Sequence, residues 1–250
     1  MEWAHRLRWA LEENRLRLYY QEVHPLGTRS GGTKIELLLR LVDEDDRLVP
    51  PGAFIPAAER YGMMPAIDRW VVDTALANID RLHPDGKDLG LVSINLSGAT
   101  IDDASFIEHI LDLIERHGVD PRRLCFEITE TLAVRNLAQV SRFMGELRRA
   151  GCRISLDDFG VGMSSFGYLK NLPIDIIKID GSFVQDLVSD TMSQAIVRAV
   201  TDIGHQRGLQ VVAEWVDSEA ILRALREVGV DHAQGFALHR PEPVVMHRQT

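Results

Sequence analysis

Short apolar runs alternate with amphipathic stretches along most of this chain. From Glu2 to about Asn14, Trp3, Leu7, Ala10 and Leu11 are spaced like one face of a helix. Leu16–Val23 reads as a strand, and a glycine-rich connection leads to a second strand from Lys34 to about Leu41. That connection is too short for the crossover that parallel neighbours require, so the first two strands are predicted to run antiparallel. Helices are predicted at Gly52–Tyr61, Pro65–Leu82, Asp102–His117, Asn136–Ala150, Ser164–Leu169, Met192–Arg207 and Ser218–Val228. Between them fall strands at Gly90–Leu96, Leu124–Thr129, Arg153–Asp157, Ile174–Ile179, Gln210–Glu214 and around His232–Phe236. Strict alternation predicts an α/β fold whose eight strands close into a barrel, the first strand reversed. Residues 1–15 are expected to form a linker helix and residues 16–245 the barrel.

The strands carry polar residues that their apolar neighbours cannot satisfy: Glu36, Asn95, Glu127, Asp157, Asp158, Lys178, Glu214 and Gln234. Side chains alternate along a strand, so Glu36, Leu38 and Arg40 share the inner face while Leu37, Leu39 and Leu41 pack outward. Polar groups in one position on consecutive strands converge on one rim of a barrel. Taken singly, each has a plainer reading. Glu36 with Arg40 fits a structural ion pair, Asn95 a turn residue, and either Asp157 or Asp158 a helix cap. Adjacent aspartates face opposite ways in a strand, so both reach one site only if the chain turns there. Phe159-Gly160-Val161-Gly162 is expected to supply that turn. Lys178 fits either a counter-ion for Asp157 or a group that polarises a nucleophile.

Charge then decides between the readings. Five carboxylates face only Arg40 and Lys178, and one unpaired buried carboxylate costs several kcal/mol, a large part of the roughly 5–15 kcal/mol that holds a domain together. The shortfall calls for added cations. An all-oxygen donor set without histidine or thiolate selects hard divalent ions, and a paired site suits displacement at phosphorus. The 250 residues fit one large domain, and the net charge of −9 argues against a grip on polymeric nucleic acid. Cys125 and Cys152 lie far apart and make no zinc pattern, the nine histidines show no metal-binding spacing, and no run reaches the length of a membrane span. A cytoplasmic location without membrane contact by this segment is expected.

ELLLR, FIPAAERYG, INLS, FEITE, DDFG, YLKNLPIDIIKID, VVAEWV and QGF, in this order, resemble the EAL domain of cyclic di-GMP phosphodiesterases from about Leu16 to Pro241. The resemblance implies a modified TIM barrel with an antiparallel first strand, opening cyclic di-GMP to linear pGpG with two Mg²⁺ or Mn²⁺ ions and inhibition by Ca²⁺. It implies Glu36, Asn95, Glu127 and Asp157 as ligands of one ion, and Asp157, Asp158 and Glu214 around the other. Lys178 resembles the residue at the attacking hydroxide and Gln234 one that completes its water network. Arg40, Leu39 and Gln234 are implied as substrate contacts. A regulatory loop of Phe159, Gly160, Gly162, Ser164 and Ser165, held by Asp217, is implied to couple the site to a homodimer interface. Fusion to sensor or cyclase domains is compatible with the pattern. The alternative within the family is a receptor that binds cyclic di-GMP without cleaving it. The chain departs from the usual motifs at Leu37, Val161, Met163, Trp215 and Asp217; Leu37 faces away from the pocket, whereas the other four bear on loop order.

Overall fold

A computed structural model describes residues 2–28, 31–161 and 166–245. Strands β1 (Leu16–Pro25), β2 (Thr33–Val42), β3 (Leu48–Val49), β4 (Leu89–Asn95), β5 (Leu124–Thr129), β6 (Arg153–Phe159), β7 (Ile176–Ile179), β8 (Gln210–Ala213), β9 (His232–Ala233) and β10 (Glu242–Pro243) form one sheet. Strands β2, β4, β5, β6, β7, β8 and β9 pair in parallel in that order. β1 closes the ring antiparallel to both β2 and β9. The predicted barrel with its reversed first strand is therefore observed. The two-residue strands β3 and β10 lie outside the ring, on β2 and β1, and are too short to carry a sequence signal.

The helices are α1 (Glu2–Glu12), α2 (Pro51–Arg60), α3 (Met64–Ala77), α4 (Gly98–Ile101), α5 (Ala104–His117), α6 (Glu130–Arg135), α7 (Leu137–Arg149), α8 (Gly181–Gln185), α9 (Thr191–Gln206) and α10 (Glu219–Val228). Four boundaries differ instructively from expectation. The predicted helix ending at Leu82 stops at Ala77 and continues as a 3₁₀ turn. Asp102–His117 loses its first residues because Asp103 caps α5 by accepting from Ser105 N–H. α6 begins directly after β5 with no intervening loop, so its start is hidden in the strand pattern. Residues 166–171 form a 3₁₀ helix where an α-helix from Ser164 was expected; Ser164 and Ser165 lie outside the described residues.

Two apolar layers hold the barrel. Outward-facing Ile94, Phe126, Ile128, Ile154, Leu156, Ile177 and Val211 are buried under the helices in the main core. Inside the ring, Leu91, Cys125, Ile176 and Val212 make a small plug with Val23 against it. Each fully buried aliphatic or aromatic side chain is worth roughly 1.5–3 kcal/mol over exposure. This plug floors the polar mouth above it. Cys125 and Cys152 are buried free thiols, and burial pushes Cys152 up to about 12. At the far end, Lys34 Nζ donates to Gln210 Oε1 at 2.9 Å and lies 2.9 Å from His232 Nε2.

β1 runs opposite to the rest, so its start pairs with the end of β2, Leu16 opposite Leu41. α1 thus arrives at the mouth end. There Leu7 and Ala10 are buried in the core, and Arg6 pairs with Glu44 at 3.2 Å. Arg15 donates to Asp43 O and Asp46 Oδ1, each at 2.6 Å. No helix among the described residues is long and apolar enough to cross a membrane.

Candidate active site

The polar strand residues meet at the mouth. Lys178 is 2% exposed, and its Nζ lies 3.1 Å from Glu36 Oε2, 2.7 Å from Glu127 Oε2, 3.3 Å from Asp157 Oδ1 and 2.8 Å from Glu214 Oε1. Glu36 also accepts from Asn95 Nδ2 at 2.8 Å and from Gln234 Nε2 at 2.7 Å. Seven of the eight predicted site residues are thus joined: four carboxylates touch Lys178 directly, and Asn95 and Gln234 reach it through Glu36. Asp158 is the eighth, its backbone N–H donating to Asp157 Oδ1 at 2.9 Å.

The turn that unites the two aspartates is not where the glycines predicted it. β6 continues to Phe159, and Asp158 itself takes a left-handed φ of +52°. The pairing of β6 with β7 slips between Leu156 and Phe159, a bulge that swings both carboxylates to the mouth. Aspartate is among the few residues that tolerate this conformation. Gly160 follows at φ +112°, and a Cβ there would lie 2.7 Å from the Phe183 ring.

Electrostatics at the mouth are dominated by burial. Burial pushes Glu127 up to about 8; Lys178 opposes this, while Glu36 and Asp157 add to it. Burial likewise raises Asp157 and Glu214 against Lys178. It raises Asp158 to about 6, with Asp157 and Asp180 contributing. Glu36 is the exception: burial pushes it up, but Lys178, Gln234 and Asn95 together hold it below the ordinary value. Burial works against the Lys178 charge, yet its four carboxylates raise it well above the ordinary range. One ammonium is shared among four anions, and the others remain poorly compensated.

The donor set fits hard cations. Oxygens of Glu36, Glu127 and Asp157 lie within 4.8 Å of one another, and so do those of Asp157, Asp158 and Glu214. Asp157 belongs to both triads, and every donor is oxygen, the chemistry that Mg²⁺ and Mn²⁺ prefer. Gln234 Oε1 is buried and has no protein partner among the described residues.

Beside the triads lies a cavity of about 420 Å³ lined by Leu38, Arg40, Trp215, Asp217, Phe236 and Pro241, with Glu36, Glu214 and Gln234 at its base. Leu39, expected at the substrate, instead packs against the core in step with Leu37 and Leu41; strand alternation gives the cavity wall to Leu38. Arg40 stacks over the Tyr19 ring at 5.2 Å and donates to Leu39 O at 2.8 Å. Trp215 is 57% exposed at φ +54°, and its indole covers Gly181, where a Cβ would come within 2.2 Å.

Three residues escaped sequence reasoning. Glu130, on α6, accepts from Gly160 N–H at 2.9 Å and from the Tyr168 hydroxyl, so it holds the segment after the paired aspartates; Asp217 lines the cavity. Of the expected loop residues, Phe159 is buried, whereas Gly162, Ser164 and Ser165, like Met163, lie outside the described residues. Gln21, on β1, donates to His239 O at 2.8 Å and accepts from Gln234 Nε2 at 3.1 Å. Asp68, on α3, accepts from Ser97 N–H at 2.9 Å, two residues beyond Asn95. Each of the three has a polar neighbour in the chain, Glu22 beside Gln21, Arg69 beside Asp68 and two threonines around Glu130, so none stands out from the hydrophobic pattern.

Comparison with known proteins agrees with this geometry. The EAL domain family model matches residues 4–241. Cyclic di-GMP phosphodiesterase PdeB of Shewanella oneidensis is 38% identical over 243 residues, which cover 97% of this chain and 28% of PdeB. Cyclic di-GMP phosphodiesterase PdeF of Escherichia coli is 34% identical, covering 96% of this chain and 32% of PdeF. The chain therefore spans about a third or less of the length of these curated relatives. Among solved structures, the PaMucR phosphodiesterase in its c-di-GMP complex superposes with a TM-score of 0.89 at 36% identity, covering 97% of this chain and 98% of that one. The FimX EAL domain from Pseudomonas aeruginosa bound to c-di-GMP gives 0.89 at 29% identity, with 97% of each chain covered.

Proposed function

Because the chain belongs to the EAL domain family, we propose that it is a phosphodiesterase that opens cyclic di-GMP to linear pGpG. One observation carries this reading: two oxygen triads joined through Asp157 adjoin a nucleotide-sized cavity that Glu36 and Glu214 line. Glu36, Asn95, Glu127 and Asp157 would hold one Mg²⁺ or Mn²⁺ ion, and Asp157, Asp158 and Glu214 the second. When bound, such a pair supplies Lewis-acid activation of water and neutralises phosphodiester charge.

The chain's own groups supply the rest. Lys178, raised well above its ordinary range, keeps its proton and acts as a donor to the attacking oxygen rather than as a base. Glu36 and Glu214 accept from the attacking water, and the free Oε1 of Gln234 adds a further acceptor. Arg40 offers its remaining N–H groups to a phosphate or to the O6/N7 edge of guanine. Trp215, Phe236 and Pro241 present flat apolar faces, suited to a purine, where base–aromatic stacking is worth about 1–3 kcal/mol.

Incubation with cyclic di-GMP and Mg²⁺ or Mn²⁺, followed by chromatography, should yield pGpG. Ca²⁺, larger and less strict in geometry, should bind and inhibit. The rival reading, a receptor that binds without turnover, draws on exposed Trp215 and on the likeness to a FimX domain bound to c-di-GMP. Tight binding with no product under either metal would select it. We further propose that the barrel, residues 16–245, works as a cytoplasmic homodimer and that residues 1–15 link it to sensor or cyclase domains.

A further inference from the structure

Asp68 is a buried carboxylate outside the mouth, 4% exposed on α3. Its Oδ2 accepts from Ser97 N–H at 2.9 Å and from Thr100 Oγ1 at 2.6 Å. Burial pushes Asp68 up, and these neutral donors oppose that rise. A carboxylate so placed is expensive to keep, and its position shows what it holds.

Ser97 caps α4, but its side chain makes no capping bond to that helix; its hydroxyl goes to Thr100 Oγ1 at 3.2 Å instead. The turn Asn95–Leu96–Ser97 is therefore fastened from outside by Asp68. On its other flank, Leu96 N–H donates to Glu127 O at 3.0 Å. Asn95, the last residue of β4, stands immediately before these two pins and donates Nδ2 to Glu36 Oε1. Its amide orientation is thereby set, with Oδ1 left over as an acceptor.

We propose that Asp68 is a positioning residue for the mouth: from outside the barrel it fixes the turn that aims Asn95 at Glu36 and the first carboxylate triad. The assignment rests on the reading of that triad as a metal site. A helix cap alone would affect stability and leave ion affinity untouched. A positioning role changes ion affinity in protein that is fully folded.

The test measures Mn²⁺ affinity by titration calorimetry, together with turnover, well below each variant's unfolding midpoint. Asp68→Ala should weaken Mn²⁺ binding by about 10–100-fold, the usual effect of removing an outer-shell partner. Asp68→Asn should stay close to wild type, because an amide oxygen can still accept both bonds. Asn95→Ala combined with Asp68→Ala should bind no more weakly than Asn95→Ala alone, since one change acts through the other. Unchanged affinity in a folded Asp68→Ala protein, or losses that multiply in the double variant, would overturn the assignment. Should Asp68→Ala not fold, Thr100→Val removes one donor at similar volume and should weaken Mn²⁺ by about threefold; unchanged affinity there overturns it equally. Absence of Mn²⁺ binding by the wild-type chain would defeat the phosphodiesterase reading itself, an outcome distinct from wild-type binding that Asp68→Ala leaves intact.

Discussion

The mouth and the two buried carboxylates behind it solve the same problem in opposite ways. Asp68 and Glu130 are as buried as Glu127, yet neutral hydrogen-bond donors reach each of them. At the mouth four carboxylates crowd around one ammonium. Burial of an acid is thus no mark of chemistry by itself. A shortage of donors relative to acceptors is, because it is an arrangement that an added cation, or failing that a retained proton, must relieve.

That contrast can be broken experimentally. Asp157→Asn removes the residue common to both triads and should lower turnover by far more than the ~10–100-fold of an outer-shell change; activity near wild type in the chromatographic assay would dissolve the two-triad view. Lys178→Met leaves four anions without their cation and should destabilise metal-free protein by about 3–5 kcal/mol. Mn²⁺ should restore much of that in calorimetry, and equal melting with and without the ion would count against the shortage.

Acidity gives a third test. Glu127 titrates at 4.5 in an unfolded chain and at about 8 in the metal-free fold, so the native state holds its proton longer. Its contribution is fully present below pH 4.5 and is lost as pH rises through 8. Metal-free protein should therefore melt lower at pH 8 than at pH 5, while Mn²⁺, which favours the ionised form, should flatten or reverse that slope. A metal-free melting temperature that climbs over this range would contradict the raised acid.

The smallest effect is expected behind the mouth. Glu130→Ala strands the Gly160 N–H and the Tyr168 hydroxyl and should cost about 1–3 kcal/mol. Glu130→Gln keeps an acceptor and should fall well short of that in denaturant unfolding. Equal losses would mean that the negative charge of Glu130, rather than its acceptor oxygens, holds the turn.

The strands were legible because each carries a polar residue that its apolar neighbours cannot satisfy, and Glu36, Glu127, Lys178 and Glu214 announced themselves in this way. The short glycine-rich link before Lys34 was enough to reverse β1. Local pattern could not reveal the bulge at Asp158, because a left-handed aspartate leaves no trace in hydrophobic spacing. Nor could it place Leu38 rather than Leu39 at the cavity from a motif alone, although alternation already separated them. Glu130 and Asp68 were silent because their partners lie about 30 residues away along the chain.

The reversed first strand has a mechanical consequence. In an all-parallel barrel, polypeptide preceding the first strand would approach from the floor. Here the flip delivers it to the opening, where Arg6 and Arg15 tether α1 to the turn that follows β2. That turn begins three residues past Arg40. A pull on the amino-terminal helix is therefore transmitted through a single hairpin before it reaches the guanidinium lining the cavity.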